Sequence, residues 1–327
     1  MINDFLTYLR VERKYSPRTV TSYGEDLQHF CAFLARKPEE LEPDQVGEDD
    51  VRTWMMDMLE ERQESPRTVR RRLSALHSFY RYLLRKGLVK RDVTRLVIAP
   101  KVDKPLPVFF RESEMREALA QEASADDYES IRDNLILELL YQTGMRQAEM
   151  LGLEISDIDF SLKQIRIVGK RRKERIVPLG DKLLHQLSDY LQARTEWLQD
   201  HPFAQSAAVA DRRLLLRLNK QGEAEAMSKY TLYSIVRARM GEVSTLRKHS
   251  PHVLRHTFAT TMLDHGADIR TIQTLMGHAS LAATQVYTHT TFEQIRDVYN
   301  HAHPRAAGVQ RNNHDRATAP SESTVKH

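Results

Sequence analysis

Apolar side chains recur at helical spacing in the N-terminal third of the chain. Within residues 69–83 they fall three or four positions apart, which places them on one face of a helix. These positions are Val69, Leu73, Leu76, Tyr80 and Leu83. Ser65-Pro66 precedes this stretch, and Ser16-Pro17 precedes a similar one. Serine can cap the free N–H groups of a helix and proline fits its first position, so both pairs predict helix starts.

The remaining pattern predicts a mainly α chain with a small β-hairpin. Helical patterns at 4–10 and 47–62 complete an N-terminal bundle over residues 1–98, and residues 99–110 are rich in proline and lysine, as in an extended linker. Further helices are predicted at 112–123, 131–141 and 181–198, and again after 228. Two β-branched stretches, 164–168 and 175–179, flank a polar turn and predict a hairpin with Lys170 at its tip.

Chain length and composition set wider limits. A chain of 327 residues favours two domains, here 1–98 and 111–306, and the polar segment 307–327 is predicted to be disordered. The segment 201–226 predicts no element. Cys31 is the only cysteine, so no disulfide can form within the chain. No apolar run is long enough to cross a membrane and no signal peptide is evident, so we expect a soluble, cytoplasmic protein without a membrane partner.

Charge is distributed unevenly, although the net charge is only +4. Acidic residues dominate 38–64 and basic residues dominate 65–92. A local basic face is what a phosphate-binding surface requires, but a solvated helix face would show the same pattern, and charge alone does not decide between them. Candidate DNA-binding residues are Arg67, Arg70 and Arg71 in this segment, and Arg171, Arg172 and Lys173 beside Lys170.

Six residues in the second domain can together cut and rejoin a phosphodiester. They are Arg146, Lys170, His252, Arg255, His278 and Tyr287. Two arginines can clamp the non-bridging oxygens of a phosphate, lysine and histidine can move protons, and tyrosine is the candidate nucleophile. Each has an ordinary alternative as well. Arg146 could simply pair with Glu149, and Tyr287 could simply pack in the core.

The sequence around these residues resembles the tyrosine recombinase (phage integrase) family, and most closely its Xer branch. The matching stretches are Tyr141-Gln142-Thr143-Gly144-Met145-Arg146, Gly169-Lys170, Pro251-His252-Val253-Leu254-Arg255, Leu275-Met276-Gly277-His278 and Tyr287-Thr288-His289. The resemblance implies an N-terminal SAM-like, core-binding domain and a catalytic domain that together clamp DNA.

The resemblance also implies a role for each residue. Tyr287 attacks the scissile phosphate and forms a 3′-phosphotyrosyl strand, while Arg146 and Arg255 stabilise the transition state. Lys170 protonates the leaving 5′-oxygen, His252 handles the tyrosine proton and His278 supports the phosphate. No cofactor or metal ion is expected.

The partners that the resemblance implies are double-stranded DNA with paired half-sites and a tetramer of recombinase subunits. The tetramer could be built from this chain alone or with a second recombinase. The expected role is resolution of chromosome or plasmid dimers during segregation. A helix predicted after Tyr287 is expected to dock into a neighbouring subunit of that assembly.

Three other functions are compatible with the sequence. A mobile-element integrase would use the same residues, and a type IB topoisomerase would share the chemistry without needing a partner duplex. A catalytically silent DNA-binding regulator would need only the basic segment that contains Arg67, Arg70 and Arg71.

Overall fold

Two units divide the contacts of the chain, Met1–Leu106 and Pro107–His327. The structure, a computed structural model, describes residues 1–102, 108–120, 127–169, 173–203, 212–277 and 289–306. The predicted tail 307–327 therefore lies outside the described residues. No helix in the described part of the chain is long and apolar enough to span a membrane.

The first unit is a bundle of helices. Their bounds are Ile2–Val11 (α1), Pro17–Phe33 (α2), Glu48–Met56 (α3), continued by a π-helical turn over Asp57–Glu61, and Pro66–Arg85 (α4). Both serine-proline starts are confirmed, because Ser16 accepts from Thr19 N–H and Ser65 accepts from Thr68 N–H, each at 3.2 Å. Proline stands in the first turn of both helices.

The core of this unit is built from the apolar faces that the sequence predicted. All five stripe positions of α4 are buried, and they pack with aromatic residues of the other helices. Phe5 of α1 meets Phe79 of α4 edge to face at 5.3 Å, and Phe30 of α2 meets Trp54 of α3 at 4.8 Å. Cys31 is buried among them, and burial raises its pKa to about 11, so it acts as a packed apolar side chain.

The second unit is also mainly helical. Its helices are Glu112–Ala120 (α5), Tyr128–Thr143 (α6), Gln147–Gly152 (α7), Asp181–Asp200 (α8), Lys229–Val243 (α9), Pro251–Asp264 (α10), Ile269–Met276 (α11) and His289–Ala302 (α12). Helix α6 is buried along almost its whole length and packs against α8, α9 and α10. It therefore serves as the central helix from which the following turn is positioned.

A small antiparallel sheet accompanies these helices. Its strands are Ile158–Asp159 (β1), Gln164–Val168 (β2) and Glu174–Pro178 (β3), in the order β1-β2-β3. Val168 pairs with Glu174, and Gly169 N–H donates to the carbonyl of Lys173 at 2.7 Å. The predicted hairpin is therefore present on both sides of its tip, while Lys170, Arg171 and Arg172 lie outside the described residues.

One feature of this unit was not predicted from the sequence. The segment for which no element was predicted contains a second hairpin, Leu216–Leu218 (β4) paired with Ala224–Ala226 (β5). Its strands are only three residues long, too short to show an alternating pattern.

The last helix packs on its own unit. Tyr299 of α12 is fully buried, and beyond the helix Arg305 donates to Glu138 of α6 at 2.8 Å. In the single chain α12 is therefore an intramolecular element. The expected docking into a neighbouring subunit concerns the assembly on DNA and stays a prediction.

Candidate active site

Arg146 is presented by a sharp turn between α6 and α7. Helix α6 ends at Gly144, whose φ of 57° is left-handed, and Arg146 is the N-cap of α7. A Cβ at position 144 would lie 2.3 Å from Cδ1 of Phe258, so glycine is required both by backbone conformation and by space. The close packing of this turn on α10 fixes where the Arg146 side chain begins.

The guanidinium of Arg146 is oriented by two contacts. Nη1 donates to Oε1 of Glu149 at 2.7 Å, and Nη2 lies 3.5 Å from the carbonyl oxygen of Gly277. The ion pair with Glu149, considered as an ordinary alternative role for Arg146, is therefore present. It does not occupy the whole group, because a guanidinium has five N–H donors and the Arg146 side chain is 39% exposed.

Arg255 is almost fully buried at the same place. It projects from α10, and its two terminal nitrogens donate to the main-chain carbonyls of Gly144 and Met276, the latter at 2.7 Å. Burial, and then the nearby charges of Arg146 and Arg175, lower its pKa to about 10, so it stays protonated at neutral pH. Arg255 therefore joins the turn before Arg146 to the end of α11.

The turn at Gly277 is the point where these contacts meet. Gly277 ends α11 in a left-handed conformation, with φ of 65°. Its carbonyl faces Arg146, while the preceding carbonyl, of Met276, accepts from Arg255. His278, the next residue, lies outside the described residues, as does Tyr287. The structure thus brings Arg146 and Arg255 together at a turn that leads directly into the predicted phosphate-binding histidine.

A buried ion pair between Glu149 and Arg175, for which no role was predicted from the sequence, supports the positions of Arg146 and Arg255. Glu149 Oε2 accepts from Nη2 of Arg175 at 2.7 Å, and both side chains are about 95% buried. Burial would raise the pKa of Glu149, but the hydrogen bond and charge of Arg175 and the hydrogen bonds from Arg146 outweigh it and the pKa is lowered. Glu149 is therefore ionised. Its three-residue spacing from Arg146 was the only sequence signal for this role.

The base of the β2–β3 hairpin approaches the same carboxylate. A Cβ on Gly169 would lie 3.3 Å from Oε1 of Glu149, the oxygen that Arg146 contacts. Glycine at 169 thus allows the hairpin to lie against Glu149. Gly169, the described residue before Lys170 in the chain, therefore lies beside the carboxylate that Arg146 contacts.

His252 occupies the first turn of α10, as the sequence predicted. Ser250 caps this helix by accepting from Val253 N–H at 3.4 Å, and Pro251 is its first residue. The imidazole is exposed, yet partial desolvation and then the charges of Arg255 and His256 lower its pKa. A neutral imidazole at physiological pH can accept a proton.

The predicted DNA-binding residues of α4 are not equivalent. Arg67 and Arg70 are exposed, but Arg71 forms an ion pair with Asp26 of α2, which is only 3% exposed. Arg71 therefore has a structural partner, while its side chain stays 45% exposed, and its role in DNA binding stays a prediction. In the second unit Lys173 is exposed, whereas Arg171 and Arg172 lie outside the described residues.

A basic groove of about 650 Å³ runs along α4 in the first unit. Its lining includes arginines that the sequence analysis did not single out. They are Arg13, Arg81, Arg85 and Arg95, beside the predicted Arg70. Positions 70, 81 and 85 lie on one face of α4, so helical spacing was the signal that could have found two of them.

The electrostatics of the second-unit site favour an anion. Arg146 and Arg175 form ion pairs with the Glu149 carboxylate, and a third guanidinium, of Arg255, lies near enough for the charges of Arg146, Arg175 and Glu149 to influence its pKa. Such an excess of fixed positive charge can stabilise a phosphodiester that becomes more negative in its transition state. Among the described residues no group of three His, Cys, Asp or Glu side chains is arranged to hold a metal ion.

Comparison with known proteins agrees with both units. The model of the phage integrase family matches residues 109–294, and that of its N-terminal SAM-like domain matches residues 2–87. The chain belongs to the phage integrase family of tyrosine recombinases. It is 39% identical to tyrosine recombinase XerC of Pelotomaculum thermopropionicum, over 94% of this chain and 99% of that one.

Solved structures share the fold. The XerH site-specific recombinase bound to its difH substrate, before cleavage, matches with a TM-score of 0.61 at 22% identity, over 90% of this chain and 83% of that one. The lambda integrase tetramer bound to a Holliday junction matches with a TM-score of 0.58 at 15% identity, over 88% and 79%. The predicted fold class, a SAM-like helical domain followed by a catalytic domain with small sheets, is confirmed.

The family also confirms the predicted activity. This tyrosine recombinase is a site-specific recombinase of the Xer type, which cuts and rejoins DNA through a phosphotyrosine intermediate.

Proposed function

We propose that this recombinase resolves chromosome or plasmid dimers in the cytoplasm. It would exchange strands between two copies of a DNA site, each of which consists of two half-sites. The observation that carries the assignment of residues is the convergence of Arg146 and Arg255 on the turn at Met276 and Gly277. Along the chain this turn comes directly before His278, and Tyr287 follows nine residues after His278. The fixed positive charge there supports a scissile phosphate as the ligand.

The protein and the DNA supply every group and proton that the proposed reaction needs. The Tyr287 hydroxyl oxygen attacks phosphorus, His252 accepts the tyrosine proton and Lys170 donates a proton to the leaving 5′-oxygen. Arg146 and Arg255 bind the non-bridging oxygens, and His278 supports them. The phosphodiester is conserved as a phosphotyrosine ester, and a 5′-hydroxyl of the partner strand reverses the reaction. No cofactor takes part in this scheme.

Strand exchange determines the partners. Two duplexes must each be cut on both strands, so four active sites are required, from this chain alone or together with a second recombinase. The XerH and lambda integrase structures were solved with a DNA substrate and as a tetramer on a junction, respectively, and these support DNA binding and multimeric assembly here. In the first unit, the groove with Arg70, together with Arg67, is proposed to follow the phosphate backbone.

The decisive experiment is covalent capture of DNA. The full chain is incubated with sheared genomic DNA of its source organism, denatured with detergent, and the DNA that stays attached is sequenced. A duplex of the captured sequence, nicked beside the cleavage point, then traps the adduct because the short fragment diffuses away. We expect one recurrent sequence with two half-sites, and no adduct from Tyr287→Phe.

Other outcomes discriminate the alternatives. Relaxation of supercoiled plasmid with no recurrent sequence would indicate a topoisomerase. Binding without any adduct would indicate a silent regulator. A captured site that spans the ends of a mobile element, and not a chromosomal or plasmid repeat, would replace dimer resolution by integration.

A further inference from the structure

Arg175 is a buried cation on the strand that follows the hairpin tip. It pairs with Ile167 across β2 and β3, and its side chain is 5% exposed. A buried guanidinium is stable only if its charge and its donors are satisfied. Its partners therefore indicate what it holds in place.

Two contacts of Arg175 reach two different elements. Nη2 donates to Oε2 of Glu149 on α7 at 2.7 Å, and Nε donates to the carbonyl of Leu275 on α11 at 2.6 Å. The stem of the side chain lies under the turn at Gly277, where a Cβ would be 3.2 Å from Cδ of Arg175. The Arg175 side chain thus connects the sheet to α7 and to the end of α11, the two elements that orient Arg146 and Arg255.

The contact with Glu149 also controls Arg146. Oε1 of Glu149 accepts from Nη1 of Arg146 at 2.7 Å, while Oε2 accepts from Arg175, so the carboxylate is shared between two cations. Without Arg175, Glu149 would be a buried carboxylate with Arg146 as its sole cationic contact in the described structure. Arg146 would then be held more tightly by Glu149 and would be less able to bind a phosphate.

We propose that Arg175 is a positioning residue for strand cleavage. Its positive charge compensates the Glu149 carboxylate and its hydrogen bond anchors the end of α11, which leaves Arg146 available to the scissile phosphate. The inference rests on the proposed function, because it takes Arg146 as a phosphate ligand. It assigns to Arg175 no contact with the DNA.

The first test is Arg175→Met, which keeps an unbranched apolar stem, shorter than that of arginine, and removes the guanidinium charge. On the nicked duplex described above, we expect adduct formation to slow by roughly 100-fold, the effect of a misplaced catalytic group, with half-site affinity unchanged. Arg166→Met is the matched control. Arg166 lies on the neighbouring strand and also pairs with carboxylates, those of Asp157 and Glu174, but it is 48% exposed.

The second test asks whether the loss acts through Glu149. If an uncompensated carboxylate withdraws Arg146, then Glu149→Gln in the Arg175→Met background removes the excess charge. The double variant should recover at least about ten-fold of the lost rate, which is a non-additive result for neighbouring groups. A purely structural loss would instead be worsened by a second buried substitution.

The third readout uses a substrate in which one non-bridging oxygen of the scissile phosphate is replaced by methyl. This neutral linkage needs less cationic stabilisation, so the Arg175→Met defect should shrink on it. An equal defect on the natural and the methyl substrate would overturn the proposal. Full recovery on a substrate with sulfur at the bridging 5′ position would also overturn it, because that result places the defect at protonation of the leaving group.

The controls separate this inference from the proposed function. If the unmodified chain forms no adduct, the assignment of the active site fails. If it forms the adduct and Arg175→Met matches it, only the positioning role fails. If Arg175→Met does not fold, Arg175→Gln keeps a hydrogen-bond donor but not the charge, and wild-type rates for it on all substrates would equally reject the proposal.

Discussion

Arg255 Nη2 lies 2.7 Å from the carbonyl oxygen of Met276, so the arginine of one sequence motif supports the turn that begins another. The same guanidinium also holds the carbonyl of Gly144, next to the turn that carries Arg146. The candidate active site therefore contains a buried cation that holds two backbone segments, those of Gly144 and Met276.

Arg255→Lys should impair chemistry more than DNA binding. Lysine keeps the charge but cannot donate to the carbonyls of Gly144 and Met276 and to a phosphate in one planar geometry. We expect adduct formation to fall by about 100-fold or more, as for loss of a transition-state donor. Rates on the nicked duplex, compared with half-site affinity by gel shift, measure the difference, and an equal loss in both would contradict it.

Gly144→Ala should destabilise the second unit strongly. The new Cβ would meet Phe258 at 2.3 Å, and alanine disfavours the φ of 57°. Together these effects amount to roughly 2–5 kcal/mol of unfolding free energy. Gly266→Ala is the matched control, because Gly266 also has a positive φ, 85°, but nothing lies within 4 Å of its Cβ position. It should lose only about 1–2 kcal/mol in a urea titration.

His303 should make the second unit sensitive to acid. Its ring is buried against Tyr141 and Tyr299, and burial, then the charge of Arg305, lowers its pKa from 6.5 to about 3 despite a hydrogen bond to the Tyr141 carbonyl. Between these values the unfolded chain binds a proton that the folded chain does not. Stability from this group is therefore complete above pH 6.5 and is lost as the pH falls towards 3.

The measurement compares urea midpoints at about pH 5 and about pH 7.5. His303→Gln should show a smaller difference between the two than the unmodified protein. His301→Gln, at an exposed position on α12, should leave the difference unchanged. If all three proteins respond alike, carboxylates and not His303 account for the acid sensitivity.

Lys170 is predicted to act as the general acid. Lys170→Ala should cleave ordinary DNA poorly but recover on a substrate whose bridging 5′-oxygen is replaced by sulfur, because a thiolate leaves without protonation. Adduct formation on the two substrates provides the measurement. Absence of recovery would instead assign Lys170 to a contact with the DNA backbone.

Arg70 and Arg71 should differ in their effect on DNA binding. Arg70→Ala should lower the slope of log affinity against log salt by up to roughly 0.9 per lost phosphate contact. Arg71→Ala should change the slope less and lower stability more, because it leaves the buried Asp26 carboxylate without its closest ion-pair partner. Arg116→Ala, a 77% exposed arginine of α5, controls for the loss of one charge. Equal slopes for all three would mean that the groove does not bind DNA.

The sequence by itself determined the local elements and the family. The serine-proline pairs predicted α2, α4 and α10, because capping and proline geometry act within one helical turn. The apolar stripe of α4 predicted its buried face for the same local reason. The motif residues pointed to the family, since their side-chain chemistry and order do not depend on knowing the fold.

Only the tertiary structure decided which charges are paired. Arg175 lies 26 positions from Glu149, and Arg71 lies 45 positions from Asp26, so no local period links either pair. The sequence therefore treated Arg71 as a DNA contact and gave Arg175 no role. Arg175 and Asp26 are buried, and a charge removed from water must find its counter-charge in the fold, wherever along the chain that residue stands.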